Sequence, residues 1–130
     1  VAARAVVADE LPDDIEAGSA VLIDTGWDRH FGTEAYGDDA PFLSEAATEL
    51  LVSRGVALVG IDSVNIDDAS PAAAGRRPIH NALLGNGIHV VEHLTNLAAL
   101  PARGARFTAV PPRVEGFGTF PVRAYATIPD

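Results

Sequence analysis

Short apolar runs separated by Gly and Pro characterise this chain, and their spacing predicts alternating strands and helices. The run Val21–Ile23 lies between two glycines and predicts a buried strand over 20–26. A second run, 56–61, has the continuous apolar pattern of a strand that is buried on both faces. We therefore predict a second strand over 56–62.

The segment between these strands has helical periodicity. The residues that recur at helical spacing are Leu43, Ala47, Leu50, Leu51 and Arg54. Ser44 is a residue type that caps helix starts, and Gly55 is a type that ends helices, so the pattern predicts a helix over 43–54. Strand, helix and strand then form a βαβ unit with parallel strands and a right-handed crossover. Ligands are expected at the carboxyl ends of these strands, Asp24–Trp27 and Asp62–Asp68.

The remaining sequence predicts five further elements, one of which is a short helix that Thr95 can cap and that ends before Pro101. A short helix over 79–84 and a strand over 88–94 flank a Gly-Asn-Gly turn, and the β-rich runs 106–114 and 119–128 predict a hairpin. The polar segment 28–41 predicts a loop that is long enough to be functional or to contact another subunit. The fold class predicted by the sequence is α/β, a mixed β-sheet with flanking helices.

Composition narrows the function classes. The formal net charge of −9, without a basic cluster, makes nucleic acid and anionic membrane poor partners. The sequence has no cysteine, which leaves His and carboxylates as the strong metal ligands. No apolar run approaches the roughly 20 residues that span a bilayer, and we expect a soluble, cytoplasmic protein.

His80 and Glu92 form the strongest candidate constellation. A helix rises about 1.5 Å and a strand about 3.3 Å per residue, so a helix, a turn and a returning strand can bring Glu92 back to the level of His80. One imidazole and one carboxylate are good ligands for zinc or manganese. A His and a Glu at this spacing also occur by chance. Periodicity does not decide between the two interpretations, a metal site and a chance occurrence.

Five segments stand in an order and at intervals that carry a resemblance. They are Val21-Leu-Ile-Asp-Thr-Gly-Trp27, Leu58-Val-Gly-Ile-Asp62, Ile79-His-Asn-Ala-Leu-Leu-Gly-Asn-Gly-Ile88, Val91-Glu-His-Leu-Thr-Asn-Leu97 and Pro121-Val-Arg-Ala124. Together they resemble the second half of the cyclase family of metal-dependent hydrolases, which includes bacterial kynurenine formamidases.

The resemblance implies a swivelling β/β/α fold and a site for zinc or manganese that activates water to hydrolyse an amide, as in N-formylkynurenine. His80 and Glu92 match the family's two late metal ligands. The family's early His-x-Gly-Thr-His-x-Asp-x-Pro-x-His signature, which supplies the other ligands and a general acid/base His, does not occur in this sequence. We therefore expect 1–130 to be the carboxy-terminal part of a single cyclase-family domain, inactive unless residues from elsewhere complete its site.

Several other side chains have two interpretations. Asp62 either orients a ligand imidazole or accepts backbone hydrogen bonds in a turn. Trp27 either lines an aromatic substrate pocket or belongs to a core or interface. Strand alternation predicts that His93 points away from Glu92, which favours a structural or surface role. His30, in the polar loop, either reaches substrate or a neighbouring subunit or is simply solvated.

The leading hypothesis is a metal-dependent hydrolase of N-formyl or cyclic amides, homo-oligomeric or complemented by an amino-terminal half. The first alternative is a non-catalytic module that kept the fold and serves as an interaction or regulatory subunit. A second alternative is a related lyase or cyclising enzyme that acts on another carbonyl compound. Metal binding distinguishes the first alternative, and product analysis distinguishes the second.

Overall fold

The computed structural model of the chain describes residues 4–130, so residues 1–3 of the predicted domain lie outside the described part. Contacts divide the chain into a larger unit that ends at Leu97 and a smaller unit, Ala98–Asp130. The described strands are β1 (Ala5–Val6), β2 (Ala20–Ile23), β3 (Phe42–Leu43), β4 (Leu58–Ile61), β5 (His89–Val91), β6 (Arg106–Ala109) and β7 (Ala124–Thr127), and the described α-helices are α1 (Glu45–Arg54) and α2 (Pro78–Gly85).

A three-stranded parallel sheet organises the larger unit. β4 lies in its centre, between β2 and β5. The register pairs Ile23 with Ile61 and Gly60 with Val91, so the carboxyl ends of the three strands reach the same edge. The first two predicted strands and their parallel pairing are confirmed.

Local sequence accounts for both ends of α1. The Ser44 hydroxyl accepts a hydrogen bond from the Ala47 N–H at 3.1 Å, and Gly55 ends the helix in a left-handed conformation with φ of 67°. The predicted helix is confirmed except at Leu43, which lies in β3. The Leu43 N–H donates to the Ile66 carbonyl at 2.9 Å, so extended backbone at Leu43 is stabilised by a long-range hydrogen bond.

Side chains from the sheet and both helices meet in one core. The fully buried apolar residues are Leu43, Ala47, Leu51, Val59, Ile61, Ile66 and Leu83. Gly60 allows close packing at the centre of the sheet, since a Cβ there would lie 2.7 Å from the side chains of both Leu22 and Leu94. The chain that follows β5 is therefore packed closely against β4.

The later elements agree with prediction in type but not in length. The predicted helix over 79–84 is α2, whereas the strand predicted over 88–94 ends at Val91 because His93 adopts a left-handed φ of 58°. β6 and β7 pair antiparallel, which confirms the hairpin. The α/β class is confirmed, with parallel and antiparallel pairs in separate sheets. None of the helices within residues 4–130 is long and apolar enough to cross a membrane.

Replacing the cap of α1 tests the local explanation of this helix. Ser44→Ala should lower the free energy of unfolding by about 1 kcal/mol, because the Ala47 N–H loses its side-chain acceptor. Urea denaturation followed by circular dichroism measures the change. Ser53→Ala is the matched control, since the Ser53 hydroxyl only donates to the Leu50 carbonyl on the exposed face of the same helix. Equal stability of the two variants would contradict the capping role.

Candidate functional site

An acidic residue follows each strand of the parallel sheet. Asp24 comes after β2, Asp62 after β4 and Glu92 after β5. Because the three strands are parallel, these residues lie at one edge of the sheet, where open α/β sheets bind ligands. The candidate site is at this edge.

The carboxylate of Asp67 holds the start of α2. Pro78 occupies the first helical position, where no N–H is needed, and the N–H groups of Ile79 and His80 donate to Asp67 oxygens at 2.7 and 3.0 Å. Asp67 is only 3% exposed. A helix N-terminus is a favourable place for negative charge, so these contacts account for a buried carboxylate.

The same carboxylate orients the imidazole of His80. Nδ1 of His80 lies 2.6 Å from Oδ2 of Asp67. A carboxylate oxygen accepts, so Nδ1 donates in this contact and Nε2 is the nitrogen that remains for a ligand. Nε2 lies 3.4 Å from Oε1 of Glu92, which also accepts from the Ile66 N–H at 2.8 Å. The structure thus brings the two proposed ligands together.

The His80–Glu92 pair fits a divalent cation. An unprotonated Nε2 and a carboxylate oxygen each present a lone pair, so a cation between them would have a ligand on each side. Zinc bonds to such atoms are about 2.0–2.2 Å long, which places two ligands of a tetrahedral shell about 3.4 Å apart. The donor chemistry and the 3.4 Å separation suit one edge of a metal shell. Within residues 4–130 no group of three or more His, Cys, Asp or Glu side chains is arranged to hold a metal ion.

Asp62, which is 1% exposed, holds the loop that follows β2. Its Oδ1 accepts from the N–H and the hydroxyl of Thr25 at 2.9 and 2.6 Å, and its Oδ2 accepts from the Trp27 N–H at 3.2 Å. Of its two predicted roles, the structure shows acceptance of backbone hydrogen bonds, from the loop after β2 rather than from its own turn. The carboxylate that contacts the His80 ring is that of Asp67.

Trp27 and Tyr36 form an aromatic cluster in this loop. The Trp27 indole N–H donates to the Tyr36 carbonyl at 2.9 Å, and the Trp27 ring lies 4.5 Å from the ring of His30. The Tyr36 hydroxyl lies 3.0 Å from Nδ1 of His93. Burial raises the pKa of Tyr36, and nearby negative charges raise it further. These charges belong to Asp62, Asp28 and Glu92.

Asp28 ties the same loop to the chain that follows β5. Its Oδ2 accepts from the Asn96 N–H and from the Thr95 hydroxyl, both at 2.9 Å. The hydrogen bond from Asn96 and then that from Thr95 hold the pKa of Asp28 below its ordinary value. Asp28 and Asp62 together anchor the loop that follows β2 at two points. This loop, residues 24–41, is called the aromatic loop below.

Sequence reasoning did not single out Asp67, Tyr36 or Asp28. Asp67 lies within Asp62–Asp68, a segment expected to collect ligands, and this position was the available signal. Tyr36 and Asp28 lie in the loop predicted to be functional, but no spacing marks them. Strand alternation does not apply to His93, because β5 ends before it.

Removing the charge of Asp28 should destabilise the fold in a pH-dependent way. A carboxyl whose folded-state pKa is lowered contributes stability above its ordinary pKa of about 4, and this contribution is lost as pH falls through the folded-state value. Asp28→Asn should therefore melt at a lower temperature than wild type at pH 7, and the difference should shrink towards pH 2. Differential scanning calorimetry across this range measures it.

Asp38→Asn in the same loop is the control for this experiment, because its exposed side chain makes no hydrogen bond within the described structure. It should melt with the wild-type protein at each pH. A melting difference for Asp28→Asn that stays constant with pH would contradict the ionic role.

Comparison with known proteins identifies the family. Residues 3–68 match the family described as "Putative cyclase". The chain is 33% identical over 126 residues to isatin hydrolase of Roseibium aggregatum, an alignment that covers 89% of this chain and 47% of that protein. It is 33% identical over 82 residues to kynurenine formamidase of Polaromonas naphthalenivorans, covering 63% of this chain and 35% of that protein.

The fold is also similar to that of an isatin hydrolase crystallised with the product analogue thioisatinate. The TM-score is 0.84 at 30% sequence identity, over 96% of this chain and 53% of that one. The chain spans about half the length of the isatin hydrolases and about a third of the kynurenine formamidase. By its sequence match and its fold, this chain belongs to the cyclase family.

Proposed function

We propose that this chain supplies part of the metal site of a hydrolase that acts on small amides. The observation that carries the proposal is the 3.4 Å separation of His80 Nε2 and Glu92 Oε1, with His80 Nδ1 held by Asp67 at 2.6 Å. The similarity to isatin hydrolase and to kynurenine formamidase supports the same reaction class.

His80 and Glu92 would hold a zinc or manganese ion, since an imidazole nitrogen and a carboxylate oxygen suit both metals. The ion, when bound, activates water and stabilises the negative charge that develops on the carbonyl oxygen. A catalytic zinc ion normally has three protein ligands, so this proposal requires at least one more ligand from residues outside the chain. The proton acceptor for the attacking water would come from the same source.

In this proposal, neighbouring groups hold His80 and Glu92 in position. Asp67 fixes the His80 ring and, by its negative charge, makes Nε2 a better donor to a cation. The Ile66 N–H holds Oε1 of Glu92 in place. Since both ligands are positioned by hydrogen bonds that exist within the chain, little rearrangement is needed when the cation binds.

An aromatic amide is the substrate class that the loop after β2 supports. The half-buried Trp27 packs in this loop, with its indole N–H bonded to the Tyr36 carbonyl. Both N-formylkynurenine and the cyclic amide isatin carry an aromatic ring on the amide nitrogen, which an aromatic side chain can contact. Phe31, in the same loop, is 69% exposed, which supports our proposal that this loop contacts another subunit in a homo-oligomer.

A non-catalytic interaction module is the second candidate. It is favoured by the incomplete metal shell within residues 4–130. Such a module would keep the fold but would not bind a cation at His80 and Glu92. Metal binding therefore distinguishes the hydrolase from the non-catalytic module.

The first test measures metal binding by the protein. Because the chain supplies only two of the proposed ligands, zinc titration by calorimetry should show a weak site, and this site should be lost in His80→Ala and in Glu92→Ala. Asp67→Asn should weaken zinc binding by about 10–100-fold, since it removes the charge behind the imidazole. The Asn side chain can still accept one of the helix N–H bonds, so folding should be retained.

His89→Ala is the matched control for metal binding. His89 is an exposed histidine on β5 that lies outside the His80–Glu92 pair, and its removal should leave zinc affinity unchanged. Equal zinc binding by wild type, His80→Ala and Glu92→Ala would overturn the metal-site proposal and favour the non-catalytic module.

The second test concerns the reaction. Co-expressed with the part of Roseibium aggregatum isatin hydrolase that it does not match, the chain should hydrolyse isatin or N-formylkynurenine, with products identified by mass spectrometry. His80→Ala should reduce the rate by more than about 100-fold, because loss of a metal ligand exceeds the 10–100-fold effect of its outer partners. Products of elimination or cyclisation, without added water, would instead favour the lyase.

A further inference from the structure

The segment that follows β5 has an unusual backbone. His93 and Asn96 adopt left-handed conformations with φ of 58° and 62°. Residues other than glycine rarely adopt this conformation, and where they do the surrounding structure must hold them there. His and Asn adopt this conformation more often than most other residues, so local preference and contacts together shape the turn 92–97.

Two parts of the structure supply those contacts. The backbone N–H groups of His93 and Leu94 donate to the carbonyls of Ser63 and Ile61, and the loop that follows β2 contacts the side chains of the turn. The Tyr36 hydroxyl lies 3.0 Å from Nδ1 of His93, and the two rings lie 5.8 Å apart. Asp28 accepts from the Thr95 hydroxyl and from the Asn96 N–H. The aromatic loop thus fixes the residue that directly follows Glu92.

The Tyr36 hydroxyl and Nδ1 of His93 share a hydrogen bond whose direction depends on the tautomer of the imidazole. Burial and neighbouring carboxylates raise the pKa of Tyr36, so its hydroxyl keeps its proton and can donate. With the hydroxyl as donor, Nδ1 of His93 accepts. The ring is left with an N–H donor at Nε2, on a side chain that is exposed.

The residue that carries this N–H follows Glu92, a proposed metal ligand, and contacts Tyr36 of the aromatic cluster. The proposed metal site does not use His93. We propose that His93 is a substrate-positioning residue, held by Tyr36, whose Nε2–H donates a hydrogen bond to a carbonyl or carboxylate oxygen of an aromatic ligand. The class of ligand rests on the proposed function, whereas the donor and its orientation rest on the Tyr36–His93 contact.

The geometry makes different predictions for different replacements of His93. Gln places its terminal amide nitrogen about as far from the backbone as Nε2, so it can keep the donor. Leu has a similar bulk but no donor. Tyr36→Phe keeps the aromatic ring and removes only the hydroxyl that holds the imidazole.

The test uses binding of isatinate, the ring-opened acid that hydrolysis of isatin produces, to the zinc-loaded chain. His93→Leu and Tyr36→Phe should raise the dissociation constant measured by calorimetry about three- to tenfold, which is the effect of one lost hydrogen bond. His93→Gln should stay within about twofold of wild type, as should the control His89→Leu. Long-range proton–nitrogen NMR spectra should show protonation at Nε2 of His93 and a shift of its N–H signal when isatinate binds.

Other results would contradict either the positioning role of His93 or the proposed hydrolase. Wild-type affinity in His93→Leu, or no isatinate binding by the wild-type chain, would overturn the positioning role. A merely structural role would lower the melting temperature of His93→Leu without moving the wild-type N–H signal on binding. Isatinate binding through His93 without hydrolysis of isatin would instead count against the proposed hydrolase and leave the positioning role intact.

Discussion

The buried carboxylate of Asp67 is the interaction on which the candidate site depends. It accepts from two backbone N–H groups at the start of α2 and from the His80 imidazole. A charge with only 3% exposure is tolerated because three donors and the helix N-terminus compensate for its lost solvation. The same contacts that let the helix begin at Pro78 therefore fix the direction in which Nε2 points.

The remaining geometry follows from the parallel sheet. Three strands end at one edge, and the carboxylates of Asp62 and Glu92, which follow β4 and β5, accept hydrogen bonds from neighbouring loops. Asp62 holds the start of the aromatic loop, and Asp28 holds the same loop against the turn after β5. This concentration of negative charge suits a cation, and it is consistent with a formal net charge of −9.

The proposed site is part of a larger one, since the chain spans about half the length of the isatin hydrolases that it matches. The proposed ligands His80 and Glu92 lie 3.4 Å apart, and Tyr36 contacts His93, the residue that follows Glu92. The isatin hydrolase and kynurenine formamidase that the chain resembles are two to three times as long as their matched parts. Division of a metal shell between distant parts of a sequence is physically reasonable, because a sheet edge collects loops regardless of their separation along the chain.

The sequence by itself predicted both α-helices, five of the described strands and the approach of His80 to Glu92, but not the two-residue strands β1 and β3. Ser44 and Gly55 specify the ends of α1 by local hydrogen bonding and backbone conformation, and apolar runs specify the buried strands. The resemblance of separate motifs, rather than any periodicity, singled out His80 and Glu92. Only the tertiary structure showed that Asp67, not Asp62, orients His80 and that β5 stops at Val91. These features depend on contacts between residues far apart in sequence, such as Tyr36 with His93, for which local pattern carries no signal.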